Sequence, residues 1–296
     1  MTDGFRKPAH GAFKPASSEA QFAARPTPTA QTEHPAYRLA FQDTDFLLRE
    51  ELRPIRFQLE LLKPELLLAE AGIASTFVFY GSARIPGPHE IDSLRASADT
   101  PERKSVVERL IAKSRYYEEA RKLAYIASCQ PCRNGTGTRD FVVCSGGGPS
   151  IMEAANRGAH EAGAPSVGLN IVLPHEQLPN AYVTPGLSFQ FHYFALRKMH
   201  FLMRARAVAV FPGGFGTFDE LFELLTLVQT GKMAPVPILL FGRDFWNRVV
   251  DFDELAAEGV IAHRDLDLFH FVETAEEAWA HVCAVAAPDP ALATPG

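Results

Sequence analysis

The sequence of 296 residues lacks three features that would point to specialised classes of protein. It has four cysteines, too few for the disulfide framework of a small secreted domain. Its formal net charge is −6, without the basic excess that is typical of nucleic-acid-binding proteins. No apolar run approaches the ~18 residues that a membrane-spanning helix requires, and the N-terminus lacks the apolar core of a signal peptide. We therefore expect a cytoplasmic protein with neither a nucleic-acid nor a membrane partner.

Cysteine and histidine do not occur in the patterns of a metal site. Cys129-Gln-Pro-Cys132 is a lone Cys-x-x-Cys pair, whereas a zinc site needs further ligands. A redox pair of the thioredoxin type opens a helix, and this pair instead ends one. His175, His192 and His200 show no ligand spacing. We therefore expect no metal and no cofactor.

The composition that remains is that of an ordinary globular protein. Hydrophobic residues make up 47% and charged residues 22% of the chain, and the length suffices for one large α/β domain or two small ones. The pattern of Pro, Ala and apolar residues predicts four segments: a disordered arm at 1–36, a helical extension at 37–72, a Rossmann-like domain at 73–287 and a flexible tail at 288–296.

Strand-type and helical patterns alternate through the predicted domain. Most of the strand-type segments are unbroken apolar runs, which indicates a mostly parallel sheet with helices on both faces. We predict an α/β fold with a doubly wound sheet of about seven strands, in a single domain that carries an N-terminal helical extension. Ligands of such sheets bind beyond the carboxyl ends of the strands.

Three of the predicted strands end in turns of small residues. These turns contain Gly81 and Ser82, then Gly146, Gly147 and Gly148, and finally Gly213, Gly214 and Gly216. The carboxyl ends of parallel strands lie at one edge of a sheet, so we expect the three turns to converge on one site.

The last turn has the features of an anion site. A strand-type run at Ala207–Phe211 breaks at Pro212, and a helical pattern restarts at Thr217. Free N–H groups and the helix dipole bind anions at such a helix N-terminus. A P-loop would need a Lys beside Thr217, and a dinucleotide fingerprint would need Gly-x-Gly-x-x-Gly after the first strand; neither is present. A monophosphate is the better match to a short glycine turn with one hydroxyl.

The charged candidates also have plain structural interpretations. Thr217-Phe-Asp-Glu220 fits a capping box, and so does Ser150-Ile-Met-Glu153. Against the first, the glycine turn would place Glu220 beside a bound phosphate ester, and the two interpretations carry about equal weight. Arg197-Lys198, taken alone, is typical of a solvated basic pair on a surface helix.

Taken together, these residues resemble the Lonely Guy (LOG) family, whose members were often labelled lysine decarboxylases. Pro-Gly-Gly-Phe-Gly-Thr-Phe-Asp-Glu at 212–220 matches the family signature Pro-Gly-Gly-x-Gly-Thr-x-x-Glu. Ser145–Asn156 is similar to its second glycine motif, and Gly81–Arg84 to its first-strand turn. Arg197-Lys198 stands at its Arg-Lys position. The resemblance spans about 75 to 285.

The resemblance implies hydrolysis of the N-glycosidic bond of a nucleoside 5′-monophosphate, a cytokinin ribotide or an AMP-like purine nucleotide, to free base and ribose 5-phosphate. It implies catalytic roles for Arg197 and Glu220. It also leads us to expect that the substrate and its phosphate contact a set of residues from the three turns and their helices: Gly81, Ser82, Gly146, Gly147, Gly148, Met152, Glu153, Lys198, Gly213, Gly214, Gly216 and Thr217.

The chain departs from the family pattern in places. Ser150 stands where the family often has Gly, and Arg206 where many members have Asp. The N-terminal extension is similar to that of the longer bacterial subgroup, which implies a homo-oligomer, a dimer or larger.

Two other functions were weighed against hydrolysis. A non-catalytic nucleotide or cofactor carrier on the same fold would need the anion site but not the Arg197/Glu220 pair. A pyridoxal-phosphate decarboxylase would need a lysine in the turns, where none lies; the nearest, Lys198, is better explained by the Arg-Lys match.

Overall fold

The computed structural model of the protein describes residues 15–24, 27–129, 137–174 and 178–286. The chain divides into two compact units, Met1–Glu60 and Leu61–Gly296. In the described part of the chain, no helix combines the length and the hydropathy needed to cross a membrane.

The N-terminal region is helical where it is described. Its helices are α1 (Ala16–Ala23), α2 (Ala30–Glu33), α3 (Thr44–Leu47) and α4 (Arg53–Glu70). The sequence predicts a disordered arm at 1–36, whereas the described part of that arm contains the helices α1 and α2. Local capping accounts for α2, because the Thr29 and Thr32 side chains each accept a hydrogen bond from the other residue's backbone N–H. Residues 1–14 of the arm and the predicted tail at 288–296 lie outside the described residues.

Seven parallel strands form one sheet in the order β4-β3-β2-β1-β5-β6-β7, which confirms the predicted α/β fold. The sequence predicts a mostly parallel sheet, and every pairing in it is parallel. The strands are β1 (Thr76–Tyr80), β2 (Val142–Ser145), β3 (Ser166–Ile171), β4 (Ser188–Phe191), β5 (Ala205–Val210), β6 (Ile238–Phe241) and β7 (His270–Val272).

Helices connect the strands. They are α5 (Ile91–Ala96), α6 (Pro101–Ile111), α7 (Arg115–Cys129), α8 (Ile151–Glu161), α9 (Phe194–Met203), α10 (Phe215–Gln229), α11 (Arg243–Val249), α12 (Phe252–Ala257) and α13 (Ala275–Ala286).

Two long helices predicted from apolar periodicity are each divided in two. The pattern predicts one helix over 102–128, but the chain turns between α6 and α7, where the buried Ser114 hydroxyl donates to the Pro86 carbonyl at 2.8 Å. It also predicts one helix over 244–258, but Asp251 begins α12 by accepting a hydrogen bond from the Glu254 amide at 2.9 Å. Polar side chains that stop a helix are weak signals beside a continuous apolar stripe.

The sheet is packed around a row of aromatic rings at its centre. Phe79 on β1 stacks with Phe211 at 6.2 Å between ring centroids, and Phe211 stacks with Phe241 on β6 at 4.2 Å. All three side chains are fully buried. Burial of this kind holds β1, β5 and β6 in register, so the turns that follow them are carried by a rigid base.

Strand order reverses between β1 and β5, because the chain builds β2 to β4 on one side of β1 and then returns to the other side. Such a switch point opens a crevice beyond the carboxyl ends of the two strands. Here the Ser82 amide donates to the Pro212 carbonyl at 3.2 Å, and the Phe211 amide to the Tyr80 carbonyl at 2.8 Å. Backbone hydrogen bonds therefore join the turn after β1 to the turn after β5 across the switch point.

Candidate active site

A cavity of about 830 Å³ lies beyond the carboxyl ends of the strands, at the switch point. The three small-residue turns all contribute to its wall, as the sequence predicts for a shared sheet edge. Of the expected site residues, those that line it are Gly81, Ser82, Gly146, Met152, Arg197, Gly214, Gly216, Thr217 and Glu220.

The turn after β5 presents backbone amides to this cavity. Helix α10 begins at Phe215 with Gly214 as its N-cap, two residues before the predicted start at Thr217. The Phe218 amide is bonded to the Gly214 carbonyl at 3.0 Å, and the amides before it have no acceptor within the helix. Among the described residues, apart from each glycine's chain neighbours and the nearby backbone of α10, no atom lies within 4 Å of a Cβ built on Gly214 or Gly216, so this backbone is open to a ligand.

Thr217 is buried inside the first turn of α10 rather than at its cap. A Cβ on Gly213 would lie 2.1 Å from Thr217 Oγ1, so glycine is needed there for the turn to close over the threonine. The capping-box interpretation of Thr217 and Glu220 is wrong, because the helix starts earlier and no side chain caps it.

Glu220 lies one turn further along α10, where its side chain is 13% exposed. The Arg197 guanidinium donates from Nη1 to Glu220 Oε1 at 3.2 Å. Burial raises the pKa of the Glu220 carboxyl to about 7, and the positive charge of Arg197 opposes that rise. A carboxyl with this pKa can exchange a proton near neutral pH.

Arg197 is buried, so the interpretation of Arg197-Lys198 as a solvated pair is wrong for the arginine. Its Nε donates to the Leu169 carbonyl at 2.7 Å, and its guanidinium carbon lies 5.0 Å from the centroid of the Phe201 ring. A Cβ on Gly146 would lie 2.6 Å from Arg197 Nη2. These contacts hold the guanidinium against Glu220 in one orientation.

Lys198 is paired with carboxylates on α10. Its ammonium group lies 3.0 Å from the Asp219 carboxylate and 3.2 Å from Glu223 Oε2. These ion pairs account for the lysine without a ligand. Lys198 does not line the cavity, although we expected it to contact substrate.

The turn after β2 is closed by its own side chains. Ser145 Oγ donates to Asn156 Oδ1 at 2.7 Å and accepts from the Gly147 amide at 3.0 Å. Asn180 Nδ2 donates to the Gly148 carbonyl at 2.9 Å. Gly147, with a φ of +71°, adopts a left-handed conformation that favours glycine. Gly147 and Gly148 therefore shape the turn, and neither lines the cavity.

Glu153 is engaged at the start of α8. It accepts a hydrogen bond from the Tyr117 hydroxyl at 2.8 Å, and it does not line the cavity. The Ser150 hydroxyl donates to the Ile85 carbonyl, so the capping-box interpretation of Ser150 and Glu153 is wrong. Ser150 has a φ of +64°, which explains why glycine suits this position in the family pattern.

Sequence reasoning missed several residues of the cavity wall. Asn170 is buried at the end of β3, and its Nδ2 donates to Ser188 Oγ at 3.3 Å and to the Phe189 carbonyl at 3.2 Å. Those two bonds orient the amide and leave Oδ1 as an acceptor. Tyr80 is also buried in the wall, and burial raises the pKa of its hydroxyl well above the ordinary value. Tyr80 is the last residue of β1 and Asn170 the last but one of β3, and this place near the carboxyl end of a strand is the signal that could have found them.

The rim of the cavity is aromatic and apolar. Phe215, which is 98% exposed, and Phe194, which is 55% exposed, stand at its mouth. Within residues 15–24, 27–129, 137–174 and 178–286, no group of three or more His, Cys, Asp or Glu side chains is arranged to hold a metal ion. Cys132 and His175 fall outside those ranges.

Comparisons with known proteins bear on the family of the chain. A family model described as "Possible lysine decarboxylase" matches residues 152–282. The chain is 25% identical over 164 residues to cytokinin riboside 5′-monophosphate phosphoribohydrolase LOG3 from Arabidopsis thaliana, a match that covers 54% of this chain and 74% of that protein. It is 27% identical over 140 residues to cytokinin riboside 5′-monophosphate phosphoribohydrolase LOG4, also from Arabidopsis thaliana. That match covers 46% of this chain and 63% of LOG4, less than two thirds of the length of LOG4.

Among solved structures, the molybdenum cofactor binding protein from Rippkaea orientalis is similar with a TM-score of 0.41 and 16% identity, over 71% of this chain and 97% of that chain. The Moco carrier protein from Chlamydomonas reinhardtii is similar with a TM-score of 0.40 and 19% identity, over 72% and 98% of the two chains. Similarity this low says nothing of what this chain binds.

Proposed function

Because the chain belongs to the LOG family, we propose that it is a hydrolase of the N-glycosidic bond of a purine-type nucleoside 5′-monophosphate. The substrate is a cytokinin ribotide or an AMP-like nucleotide, and the products are the free base and ribose 5-phosphate. The observation that carries the proposal is the buried Arg197–Glu220 pair beside the open amides of α10, within one cavity.

The phosphate binds at the turn after β5. The first amides of α10 have no acceptor in the helix, and the helix dipole adds partial positive charge at the same place. Gly214 and Gly216 leave the backbone uncovered, so phosphate oxygens can approach the amides closely. This anchoring places the sugar of the nucleotide over the next turn of α10, which carries Glu220.

Glu220 then acts on the anomeric carbon. The bond between the sugar and the base breaks with its electron pair leaving on the base, and positive charge develops on the sugar ring. The ionised carboxylate stabilises that charge and accepts a proton from the water that adds to the anomeric carbon. The departing base takes up one proton from solvent, and the carboxyl returns its proton to solvent, so the carboxylate is restored. Arg197 touches Glu220 directly and holds it in place.

A substrate panel tests the proposal. The purified protein is incubated with AMP, GMP, CMP and isopentenyl-AMP, and ribose 5-phosphate is measured over time. We expect release from a purine nucleotide. Release from none of the four would overturn the proposal.

The Glu220→Gln variant tests the role of the carboxylate. We expect a fall in kcat on the order of 10²–10³, the usual loss when one preorganised catalytic group is removed. Glu223→Gln is the matched control, because Glu223 lies on the same helix and pairs with Lys198 outside the cavity. Circular dichroism checks that both variants fold. Full activity in folded Glu220→Gln would remove Glu220 from the mechanism.

The same experiments separate the enzyme from a carrier. A carrier would bind AMP or ribose 5-phosphate without releasing a base, and it would not need the Arg197–Glu220 pair. Tight binding without turnover of any of the four nucleotides would therefore favour the carrier.

A further inference from the structure

Two cationic side chains line the cavity among the described residues, Arg84 and Arg197. The Arg197 guanidinium already has partners within the protein, since it donates hydrogen bonds to the Leu169 carbonyl and to Glu220. Lys198, the nearest other cation in the sequence, is held by Asp219 and Glu223. Among the described residues that line the cavity, Arg84 is therefore the one cationic side chain whose charged group has no partner and could bind a phosphate.

Arg84 is exposed, and within the described part of the chain its guanidinium makes no hydrogen bond or ion pair. Its backbone, in contrast, is fixed. The Arg84 amide donates to Ser82 Oγ at 3.0 Å, and the Ser82 amide donates to the Pro212 carbonyl at 3.2 Å. The next residue, Ile85, is fully buried, and its carbonyl accepts a hydrogen bond from Ser150. A fixed backbone thus presents a free guanidinium at the cavity.

The position of Arg84 matches the phosphate end of a bound nucleotide. It follows β1, and the bond between Ser82 and Pro212 joins its turn to the turn before α10. Asn170 on β3 lies at the other side of the cavity, and β3 is three strand positions from β5. That separation is about 14 Å at the usual strand spacing, enough to keep the two ends of a nucleotide apart.

The charges of the site favour a cationic side chain such as Arg84 beside a bound phosphate. A phosphate ester brings negative charge into a cavity that also holds the Glu220 carboxyl, while the amides of α10 supply only partial charges. A guanidinium can donate two parallel hydrogen bonds to phosphate oxygens, the geometry for which arginine is best suited.

We propose that Arg84 binds the 5′-phosphate and makes the site selective for nucleoside monophosphates over nucleosides. This inference rests on the proposed function, because it takes the ligand to be a nucleotide. Arg84 touches the phosphate and not the glycosidic bond, so it is a specificity-determining residue whose loss acts mainly on binding.

Calorimetric titration of the full chain with ribose 5-phosphate, ribose and adenine tests the proposal. We expect Arg84→Ala to weaken ribose 5-phosphate binding by about tenfold to a hundredfold, the range for charge-assisted hydrogen bonds. Arg84→Lys should lie between that variant and the wild type, because it keeps the charge but not the paired donors. Adenine and ribose should bind as before. Arg103→Ala, on the exposed face of α6 away from the cavity, is the matched control.

Steady-state kinetics with AMP supply the second readout. For Arg84→Ala we expect KM to rise by a similar factor while kcat falls less, since the carboxylate that acts on the sugar is untouched. Unchanged ribose 5-phosphate binding in Arg84→Ala would overturn the inference. An equal loss of ribose 5-phosphate and adenine binding would overturn it too, because the defect would then not be specific to the phosphate.

The two proposals fail in distinguishable ways. If the wild type binds ribose 5-phosphate through Arg84 but releases no base from any nucleotide, hydrolysis is wrong and the phosphate role stands. If base is released and Arg84→Ala behaves as the wild type, hydrolysis stands and the phosphate role is wrong. If the wild type binds neither ribose 5-phosphate nor AMP, both are wrong.

Discussion

The two glycine-rich turns of this cavity look alike in sequence and differ in what their glycines do. In the turn after β2, a Cβ on Gly146 would lie 2.6 Å from Arg197 Nη2, and one on Gly147 would lie 2.7 Å from the Asn170 amide. In the turn after β5, such a Cβ on Gly214 or Gly216 has no atom within 4 Å among the described residues outside the adjoining backbone. The first turn is filled by the protein itself, whereas the second leaves room for a ligand.

This difference assigns separate tasks to two similar motifs. Glycines in the β2 turn let neighbouring side chains approach closely, which sets the position of Arg197 and through it that of Glu220. In the β5 turn, Gly214 and Gly216 keep backbone amides accessible, whereas Gly213 lets the turn close over Thr217. A glycine motif therefore indicates a close approach to the backbone, and the surrounding structure decides whether a side chain or a ligand makes it.

The largest effect is expected from Gly146→Ala. The new methyl group would force Arg197 Nη2 and Met152 Sδ to move, since they lie 2.6 and 2.7 Å from the site of the Cβ. A displaced Arg197 no longer holds Glu220, and we expect kcat/KM for the nucleotide to fall on the order of 10²–10³. Kinetics on the folded variant check this. Wild-type activity in Gly146→Ala would mean that the β2 turn does not position the catalytic pair.

The next largest effect is expected from a change of pH. It tests the open β5 turn in particular, because the buried Glu220 carboxyl lies beside that turn. Its pKa is raised from 4.5 to about 7, so the native state binds a proton that the unfolded state has released between those values. The resulting stability is fully present below pH about 4.5 and is lost as the pH rises through about 7, a change of roughly 3 kcal/mol.

Urea denaturation of the wild type and Glu220→Gln at several pH values measures that change. We expect the free energy of unfolding of the wild type to fall by roughly 3 kcal/mol relative to that of Glu220→Gln as the pH rises from 4.5 to 8, because glutamine resembles the protonated carboxyl and does not titrate. Activity should move in the opposite direction, with kcat/KM rising through pH about 7 as the carboxylate ionises. A difference that stays constant with pH would contradict the raised pKa.

The smallest effect is expected from Gly216→Ala. This glycine lies in the first turn of α10 with open space around it, and alanine is the better helix former by about 0.5–1 kcal/mol. We expect a modest gain in the free energy of unfolding together with weaker binding of ribose 5-phosphate, because the methyl group covers the amides. Thermal denaturation with and without that ligand measures both. Lower stability, or unchanged binding, would contradict an open turn.

Apolar runs were enough to place the strands of the sheet. The structure has β1 at Thr76–Tyr80 and β3 at Ser166–Ile171, the ranges that the sequence predicts. Strands buried on both faces carry continuous apolar residues, so their signal does not depend on the rest of the chain. The convergence of the three turns followed from the parallel direction of the strands.

Side-chain positions were less accessible to prediction. Arg197 reads as half of a surface pair, yet the structure buries it against Gly146 and Leu169, which are distant in the chain. Asn170 belongs to the cavity wall without any motif of its own, and the motif that ends at Arg84 does not reveal that its guanidinium lies at the cavity. Nothing local distinguishes such residues from others of their type, because their roles come from neighbours that only the fold brings close.

By itself, the sequence determined the parallel sheet, the edge at which the ligand site lies and the family that the chain resembles. Those properties depend on patterns that repeat along the chain and on short motifs with fixed spacing. The tertiary structure decided which glycine turn is open, how Arg197 holds Glu220 and which arginine of the cavity wall has a guanidinium without a partner among the described residues. Each of those depends on contacts between residues far apart in the chain, and packing alone settles which atoms fill a given space.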